Sequence, residues 1–242
     1  MPLTAIIVQA RMGSTRLPKK VMMPLAGQTV LAHVLDRCRA VDGVDVVCCA
    51  ITVAPEDEAI VAEAERCGAA VFRGSPTDVL DRYARAAQMV GADVVMRVTS
   101  DCPLIDPEIC AAVLRLRAEE GVEYAANNMP PSWPHGLDCE AFGADALALA
   151  AATANEDFER EHVTPWLRNH PSISRANLEG PGGLPATLRW TLDYPEDMRF
   201  FEALFAKLPK GASSVGMDEV LAILQRHPEV SAINQQRRDT SR

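Results

Sequence analysis

The stretch AIIVQARMGSTRLPKK, residues 5–20, decides the fold of this chain. It opens with a short apolar run, AIIV, which is typical of a strand buried on both faces. The following residues carry four cationic side chains: Arg11, Arg16, Lys19 and Lys20. Residues 1–35 contain no acidic residue and contribute +4 to a chain of net charge −9, which leaves −13 for the remainder. A cationic loop after a first buried strand, in an acidic protein, indicates a site for a small polyanion.

Length and composition favour a single domain over residues 1–242. The apolar share is 48% and the charged share 24%, as in ordinary globular proteins. A net charge of −9 disfavours a broad nucleic-acid-binding surface, which needs a basic face. No apolar run approaches the roughly 20 residues that cross a bilayer, and a secretory pattern is absent. We therefore expect a cytoplasmic protein with neither nucleic-acid nor membrane partners.

The seven cysteines contain no C-x-x-C pair, and Cys48 and Cys49 are adjacent within a predicted strand. Neighbouring strand residues point to opposite faces, so the pattern fits neither a zinc site nor a disulfide framework. We expect buried, reduced thiols.

The first half of the chain alternates between strand and helix patterns. Strands are predicted at residues 5–8, 44–53, 70–72, 92–99 and 123–126. Helices are predicted after a Thr29 cap, from Pro55 to Cys67, from 76–78 to Gly91, and over 107–120. Four β-α units in about 120 residues indicate a mostly parallel sheet with right-handed crossovers.

The pattern changes after residue 126. Residues 127–133 are predicted to be a loop, because Pro130 and Pro131 exclude helix and central strand. Residues 127–186 are interpreted as an insertion between core strands that shapes an acceptor pocket or a subunit contact. Within and beyond it we expect an Ala-rich helix ending near 155, a helix over 156–169 broken at Pro165, a strand over 188–193, helices over 196–208 and 216–226, and a frayed end over 235–242.

Three charged features fall where parallel strands end, which is where ligands bind in open α/β sheets. They are the cationic loop, Asp101 after the strand at 92–99, and Asp193 at the end of the strand expected at 188–193. Together they suit a nucleoside triphosphate with Mg²⁺, because cations neutralise phosphate oxygens and the metal takes carboxylate and phosphate oxygens. Taken singly, the loop is also compatible with a solvated basic turn, and each aspartate with a turn-forming role. The loop matches neither G-x-x-x-x-G-K-[ST] nor G-x-G-x-x-G.

The stretch IIVQARMGSTRLP at residues 6–18, followed by Lys20, resembles the opening motif of the cytidylyltransferases that make CMP-activated sugars. The branch of spore-coat polysaccharide biosynthesis is the most similar, with CMP-KDO synthetases and acylneuraminate cytidylyltransferases as more distant relatives. The resemblance continues in FRGS at 72–75 with DVLDRY at 78–83, in RVTSDCPLID at 97–106, in REHVTP at 160–165 and in RWTLD at 189–193. It implies a three-layer, Rossmann-like sheet of the nucleotide-diphospho-sugar transferase type, with an inserted acceptor or dimerisation segment, and a homodimer.

The activity that this resemblance implies is transfer of CMP from CTP to a sugar or sugar acid, with release of pyrophosphate, for surface-glycan synthesis. Arg11, Arg16 and Lys20 would hold the triphosphate, with backbone N–H groups around Gly13 and Ser14 adding an anion nest. Asp101 would act in catalysis and bind Mg²⁺ together with Asp193. Residues expected around base and ribose are Gln9, Ala10, Arg73 and Thr99. Residues expected to contact the acceptor are His135, Asp138, Glu140, Arg160 and His162, although residues 160–162 are also compatible with a solvated helix face.

Two other functions stay open at this point. A glycosyltransferase of the GT-A kind also combines a nucleotide, a metal and a similar sheet, although it usually carries a D-x-D motif that SDCP at residues 100–103 lacks. A non-catalytic nucleotide-binding protein is the third possibility. One departure from the resembling family concerns Lys19, where several relatives have Gly, so the sequence leaves the loop conformation open.

Overall fold

The computed structural model describes residues 2–209 and 215–238, and its centre is a seven-stranded sheet in the order β5-β4-β1-β6-β8-β7-β9. The strands are β1 (Thr4–Ala10), β4 (Val46–Thr52), β5 (Ala70–Gly74), β6 (Val94–Thr99), β7 (Tyr124–Ala126), β8 (Glu140–Gly143) and β9 (Arg175–Asn177). A small antiparallel pair, β2 (Pro24–Leu25) and β3 (Gln28–Thr29), follows the cationic loop. Strands β5, β4, β1 and β6 are parallel, which confirms the predicted mostly parallel sheet.

Helices flank this sheet. They are α1 (Val30–Arg39), α2 (Glu58–Arg66), α3 (Val79–Val90), α4 (Pro107–Glu120), α5 (Ala144–Thr153), α6 (Asp157–His162), α7 (Pro165–Asn169), α8 (Gly183–Ala186), α9 (Pro195–Phe205), α10 (Met217–Arg226) and α11 (Pro228–Ala232). Single 3₁₀ turns occur at Lys20–Met22, Pro55–Asp57 and Gln235–Arg237.

Local caps explain why the first-half boundaries were predictable. Thr29 Oγ1 accepts from Ala32 N (3.0 Å) at the start of α1, and Asp78 Oδ1 accepts from Asp81 N (2.9 Å) at the start of α3. Helix α3 ends at Gly91 in the left-handed conformation (φ 68°), which glycine adopts without a Cβ penalty. Each predicted helix of this half is confirmed to within a few residues.

The second half holds two strands that the sequence pattern did not reveal. Strand β8 lies between β6 and β7 and is antiparallel to both, and β9 pairs parallel with β7 at the sheet edge. Residues 127–186 therefore contribute two strands to the central sheet. Strand β8 escaped prediction because it is four residues long and begins with a buried charged residue, Glu140.

The strand expected over residues 188–193 is wrong. Its backbone contacts two loops in turn instead of one neighbouring strand: Trp190 N donates to His135 O, and Leu192 N donates to Asp101 O at 2.8 Å. Among the described residues, its only β-bridge is the one between His135 and Arg189. Gly136 permits this close approach, because a Cβ there would lie 2.3 Å from Trp190 O. Burial of the segment's apolar residues produced the strand-like pattern.

The C-terminal helices α9 and α10 confirm the two that were expected. Residues 235–238 are described and not frayed, since Gln235–Arg237 form a 3₁₀ turn and Arg237 lies 4.2 Å from the Tyr194 ring centroid. The rest of the end predicted to fray, residues 239–242, lies outside the described residues.

Two hydrophobic clusters cover the two faces of the sheet. Cys49 belongs to one and Cys48 to the other, as expected for adjacent strand residues. All seven cysteines are buried and none forms a disulfide. Across the described ranges, no helix is both long enough and apolar enough to cross a membrane.

Candidate active site

The cationic loop leaves β1 and is held at the carboxyl edge of the sheet by backbone hydrogen bonds. Met12 O accepts from Ser14 N (2.9 Å) and from Lys19 N (3.1 Å). Met12 N donates to Oδ1 of the buried Asp57 at 2.7 Å. The loop therefore presents Lys20 from a fixed backbone.

The three charged features of the sequence meet at Lys20. Its Nζ lies 2.7 Å from Asp101 Oδ2, 3.0 Å from Asp193 Oδ1 and 2.8 Å from Leu192 O. Arg16 Nη2 lies 2.7 Å from the same Asp193 oxygen. We call Arg16, Lys20, Asp101 and Asp193 the pocket charge cluster. Lys20 and Asp101 are 81 positions apart in sequence, and Arg16 and Asp193 are 177 apart. Their contact agrees with the expectation that these charged features meet at the carboxyl edge of the sheet.

The cluster fixes the charge states of its members. Burial lowers the pKa of Lys20, but Asp101 and Asp193 outweigh burial and the net pKa is raised. Burial raises the pKa of Asp101, and the ammonium of Lys20 more than offsets this, so the net pKa is lowered. Burial also raises the pKa of Asp193, but Lys20, Arg189 and Arg16 outweigh it, so the net pKa is lowered. At neutral pH the cluster is fully ionised.

A second arginine orients Asp193 from behind. Arg189 is 5% exposed; its Nη2 donates to Asp193 Oδ2 (2.8 Å), and its Nε donates to Asp197 Oδ1 (2.9 Å). Asp197 Oδ2 also accepts from Asp193 N (2.9 Å), and Asn234 Nδ2 donates to Asp197 Oδ1 (2.9 Å). These bonds connect the extended segment, α9 and the C-terminal region, so Asp193 has one defined orientation.

The cluster borders a polar cavity of about 350 Å³ at the ends of β1 and β6. A cavity of this size accommodates a small ligand. It is lined by Gln9, Ala10, Arg11, Ser14, Thr15, Arg16, Lys20, Val21, Val79, Arg82, Thr99, Ser100, Asp101, Glu161, His162 and Asp193. Most residues expected around a nucleotide are among them.

Two residues expected to bind nucleotide do not line this cavity. Arg73 is turned to Glu58, with Nη1 2.6 Å from Glu58 Oε2, and its Nη2 donates to Ala54 O. Gly13 lies in the loop but contributes no lining atom.

Of the five residues expected to contact an acceptor, His162 lines the cavity and the other four do not. Arg160 bridges α6 to α3 through Asp78 Oδ2 (2.8 Å from Nε) and donates to two carbonyls of the α5 end. Asp138 Oδ2 accepts from Gly136 N at 3.0 Å, and the backbone of His135 is bonded to residues 188 and 190. These residues stabilise the second half of the fold.

Glu140, the fourth, is 1% exposed and belongs to a closed ionic group. Its oxygens lie 2.8 Å from Arg97 Nη1, 2.9 Å from Arg168 Nε and 2.5 Å from the Tyr124 hydroxyl. We call Arg97, Tyr124, Glu140 and Arg168 the buried charge cluster. Burial raises the pKa of Glu140, yet Arg97 and Arg168 outweigh it and lower the pKa to about 2. Its carboxylate is enclosed by the protein's own donors.

Arg82 and Glu161 line the cavity although the sequence did not single them out as site residues, whereas His162 was expected near the acceptor. Arg82 carried a signal, since it shares the apolar face of α3 with Val79 and Ala86, where a charged residue is unusual. Glu161 and His162 are next to the nominated Arg160. Their placement depends on Val163, a buried β-branched residue at φ 72°, ψ −56°, with Thr164 N bonded to His162 O at 2.8 Å. Such a γ-turn is strained, and strain of this kind is found at binding sites.

Lys19, the departure from the resembling family, has φ 61° and ψ 18°. This left-handed conformation is the one that glycine adopts without penalty, so a glycine in relatives at this position has a direct physical reason. The Lys19 side chain is exposed and forms no ion pair with the described residues. The loop conformation that the sequence left open is therefore compatible with lysine at a modest cost in free energy.

The donor set at the cavity fits a hard divalent cation that arrives with a phosphate ligand. Asp101 and Asp193 already converge on one positive charge, Lys20 Nζ. Within the described part of the chain, no group of three or more His, Cys, Asp or Glu side chains could hold a metal by itself. Mg²⁺ is commonly bound through one or two carboxylates plus substrate phosphates and water. Two carboxylates beside an anion pocket meet that requirement.

Comparison with known proteins agrees with this geometry. The family model described as cytidylyltransferase matches residues 5–198. The spore coat polysaccharide biosynthesis protein SpsF of Bacillus subtilis is 33% identical over 232 residues, which are 93% of this chain and 95% of that protein. A 3-deoxy-manno-octulosonate cytidylyltransferase of Anaeromyxobacter is 43% identical over 129 residues, 52% of this chain and 51% of that enzyme.

A solved structure extends the match to the fold. The cytidylyltransferase from Leptospira borgpetersenii superposes with a TM-score of 0.89 at 27% identity, covering 95% of this chain and 97% of that one. Fold, motif positions and the match over most of the chain agree, so the glycosyltransferase and non-catalytic alternatives lose their basis. This chain belongs to the cytidylyltransferase family and is a nucleotidyltransferase enzyme.

Proposed function

We propose that the enzyme transfers CMP from CTP to a sugar or sugar acid in a Mg²⁺-dependent reaction that releases pyrophosphate, for surface-glycan synthesis. The observation that carries this proposal is the convergence of Lys20, Asp101 and Asp193, which all line a polar cavity of about 350 Å³. The names of relatives, which refer to spore-coat polysaccharide and to a sugar-acid cytidylyltransferase, support the glycan context.

In this reaction the protein contributes mainly by positioning the reactants and neutralising charge. An acceptor oxygen forms a bond to the α-phosphorus of CTP in line with the departing pyrophosphate oxygen, and the acceptor hydroxyl loses its proton. Lys20 would contact the reacting phosphate, because it is the most enclosed cation of the cluster, with a side chain 12% exposed. Arg16, at 54% exposed, would neutralise the outer phosphates and the developing charge of pyrophosphate.

Asp101 and Asp193 would hold Mg²⁺, which supplies positive charge to the phosphate oxygens when bound. With the metal bound, the two carboxylates would give up part of their contact with Lys20 and Arg16, and both cations would then be available to phosphate. Arg189 keeps one Asp193 oxygen in place during this exchange. The ion pairs thus hold the cations and the carboxylates in place before the substrate binds.

The acceptor would bind beside Glu161 and His162. Both are exposed, both line the cavity, and they face the cationic loop from the α6 side. A carboxylate and an imidazole supply hydrogen-bond acceptors and donors for sugar hydroxyls. We include a homodimer in the proposal, with residues 127–186 as the segment to examine for the subunit contact.

The test is pyrophosphate release from CTP and Mg²⁺ over a panel of sugars and sugar acids. Asp101→Asn and Asp193→Asn are expected to abolish release while the folded structure is retained, as judged by circular dichroism. Asp145→Asn is the matched control, since Asp145 is exposed on α5 and does not line the cavity. Turnover retained in both site variants would overturn the metal assignment. Binding of nucleotide-sugars in preference to CTP would overturn the reaction itself.

A further inference from the structure

We propose that two C-terminal residues position the active site from outside the cavity: Asn234 positions Asp193, and Arg237 positions Arg16. These assignments rest on the proposed roles of Asp193 in metal binding and of Arg16 in phosphate binding. Both C-terminal residues lie beyond residues 5–198, which match the family model. Neither is among the residues that line the described cavity, so each acts through an intermediary.

Asn234 is a buried donor placed between two acceptors. It is 2% exposed, and its Nδ2 donates to Arg189 O at 3.0 Å and to Asp197 Oδ1 at 2.9 Å. A backbone carbonyl and a carboxylate both accept hydrogen bonds, so a neutral side chain satisfies both only if it carries two N–H donors. Loss of this side chain would leave a buried carboxylate short of one donor, which is unfavourable.

Asp197 connects Asn234 to Asp193. Asp197 is fully buried, and its Oδ2 accepts from the backbone N–H groups of Asp193 (2.9 Å) and Tyr194 (3.0 Å). Both of its carboxylate oxygens also accept from Arg189, which in turn donates to Asp193 Oδ2 at 2.8 Å. These donors all come from the stretch of chain that carries Asp193. Asn234 is the donor that fixes Asp197 from a different part of the chain.

Arg237 is connected to Arg16 through the ring of Tyr194. The guanidinium carbon of Arg237 lies 4.2 Å from the ring centroid, and that of Arg16 lies 5.2 Å from it. Both distances are within the roughly 6 Å over which an aromatic ring attracts a cation. Arg237 Nη2 also lies 3.4 Å from Glu196 Oε1 on α9. Arg237 therefore holds the Tyr194 ring in the place where it contacts Arg16.

The contact with the ring matters most when Arg16 is to bind phosphate. Arg16 Nη2 lies 2.7 Å from Asp193 Oδ1, the same oxygen that Lys20 Nζ contacts. The Arg16 side chain is 54% exposed, so little else restrains it. When Asp193 gives up its contact with Arg16, the Tyr194 ring still attracts the guanidinium group and keeps it beside the cavity.

The experiment on Asn234 measures the dissociation constant of CTP without acceptor, once with Mg²⁺ and once with EDTA, in wild type, Asn234→Leu and Asn234→Ser. Thermal unfolding without nucleotide is recorded for each. Mg²⁺ should tighten CTP binding by wild type, and this gain should shrink by about 10-fold in Asn234→Leu, because changes behind a metal ligand weaken metal sites by roughly 10- to 100-fold. The constant in EDTA should stay near that of wild type. Asn234→Ser keeps one donor on a smaller side chain, so it should lose part of the gain, and it decides the question if Asn234→Leu does not fold.

Thr29→Ala is the structural control for Asn234. It removes the cap of α1, where Thr29 Oγ1 accepts from Ala32 N, and Thr29 does not line the cavity. The midpoint of unfolding should fall by about 2–4 °C, and the gain in CTP affinity from Mg²⁺ should be unchanged.

The experiment on Arg237 compares CTP with CMP, which lacks the outer phosphates, in the presence of Mg²⁺. Arg237→Met should weaken CTP binding by roughly two- to fivefold, the size of an exposed cation–π contact, and leave CMP binding unchanged. Arg199→Met is the matched control. Arg199 Nη2 lies 3.9 Å from the same Glu196 oxygen, but Arg199 is not among the described cations over the Tyr194 ring. Its replacement should leave both affinities unchanged.

Three results would overturn the proposal. A lower unfolding midpoint in Asn234→Leu with the full gain from Mg²⁺ would make Asn234 a structural residue. Equal losses of CTP affinity in Arg237→Met and Arg199→Met would indicate an effect of overall charge. Equal weakening of CTP and CMP in Arg237→Met would separate Arg237 from Arg16. If wild type itself gains no CTP affinity from Mg²⁺, the proposed metal role of Asp193 fails, and not the positioning by Asn234 alone.

Discussion

Two charge clusters of similar composition lie in this molecule, and only the pocket charge cluster of the two lines the described cavity. In the buried charge cluster, Glu140 is 1% exposed and every partner is supplied by the protein. In the pocket charge cluster, the members keep 12 to 54% of their side-chain surface beside a cavity. The first connects four elements of the fold, β6, β7, β8 and α7, and the second presents cations and carboxylates to a ligand.

Charge content alone therefore does not identify a site. Glu140 was nominated for acceptor binding because it is an acid in a plausible segment, and the structure places it within a saturated ion network. Lys20 and Asp101 are also ion-paired, yet their partners can be exchanged for phosphate and metal without leaving a charge in a dry interior. The acids separate the two cases: Glu140 is 1% exposed, whereas Asp193 is 15% and Asp101 22% exposed and both line a cavity.

Lys20→Met should lower kcat/KM for pyrophosphate release by about three orders of magnitude, or about 4 kcal/mol, because it removes the cation placed on the reacting phosphate. The control is its neighbour, Lys19→Met. Lys19 is exposed and does not line the cavity, so its loss should change kcat/KM by less than about threefold. Similar losses in the two variants would mean that the loop acts through its overall charge.

Glu140→Gln should lower the free energy of unfolding by about 3 kcal/mol, because two guanidinium groups lose their buried counter-charge. Its kcat/KM, measured well below the unfolding temperature, should stay near that of wild type. Urea titration followed by circular dichroism gives the first quantity. Glu119→Gln, an exposed change on α4, is the control and should stay within about 0.5 kcal/mol. If Glu140→Gln keeps the wild-type free energy of unfolding but loses activity through weaker use of the acceptor, Glu140 belongs to the acceptor site.

The pH dependence of the free energy of unfolding should reflect the ionisation of Glu140 in the buried charge cluster. The pKa of Glu140 is about 2 in the folded protein, against an ordinary value of 4.5. Because the folded-state pKa is the lower one, the stabilisation is fully present above pH about 4.5 and is lost as the pH falls towards 2. The difference in unfolding free energy between wild type and Glu140→Gln should therefore shrink over that window. A constant difference from pH 7 to pH 2.5 would contradict the assignment.

The smallest effect concerns Lys19 and its left-handed backbone. Lys19→Gly relieves about 1 kcal/mol of backbone strain but loses a similar amount through unfolded-chain entropy, so the net change should stay within about 0.5 kcal/mol. Lys19→Val should cost about 1 to 2 kcal/mol, since a β-branched residue tolerates φ 61° poorly. Equal unfolding free energies for the two variants would show that the loop relaxes away from this conformation.

The parallel half of the fold was predictable because its signals are local. Buried strands, the Thr29 and Asp78 caps and the Gly91 stop each depend on a few neighbouring residues. The pocket charge cluster was predictable for a topological reason, since carboxyl ends of parallel strands meet at one edge. That argument placed Asp101 correctly from its strand.

The rest depends on contacts that a pattern cannot reveal. Asp193 reaches the site through an extended segment hydrogen-bonded to loops, not through the strand that was expected. Strands β8 and β9 are too short to show a period and depend on long-range pairing. Four of the predicted acceptor residues do not line the cavity because tertiary partners set their side-chain directions, as Asp78 does for Arg160.

The most direct test of the central claim is thermal unfolding of wild type, Lys20→Met and Lys19→Met with and without CTP and Mg²⁺. A ligand at a hundred times its Kd adds about 2.7 kcal/mol of stability, which shifts the midpoint of a domain this size by several degrees. We predict that CTP with Mg²⁺ raises the midpoint of wild type and Lys19→Met and leaves Lys20→Met unshifted. An equal shift in all three proteins, or no shift in wild type, would contradict the account.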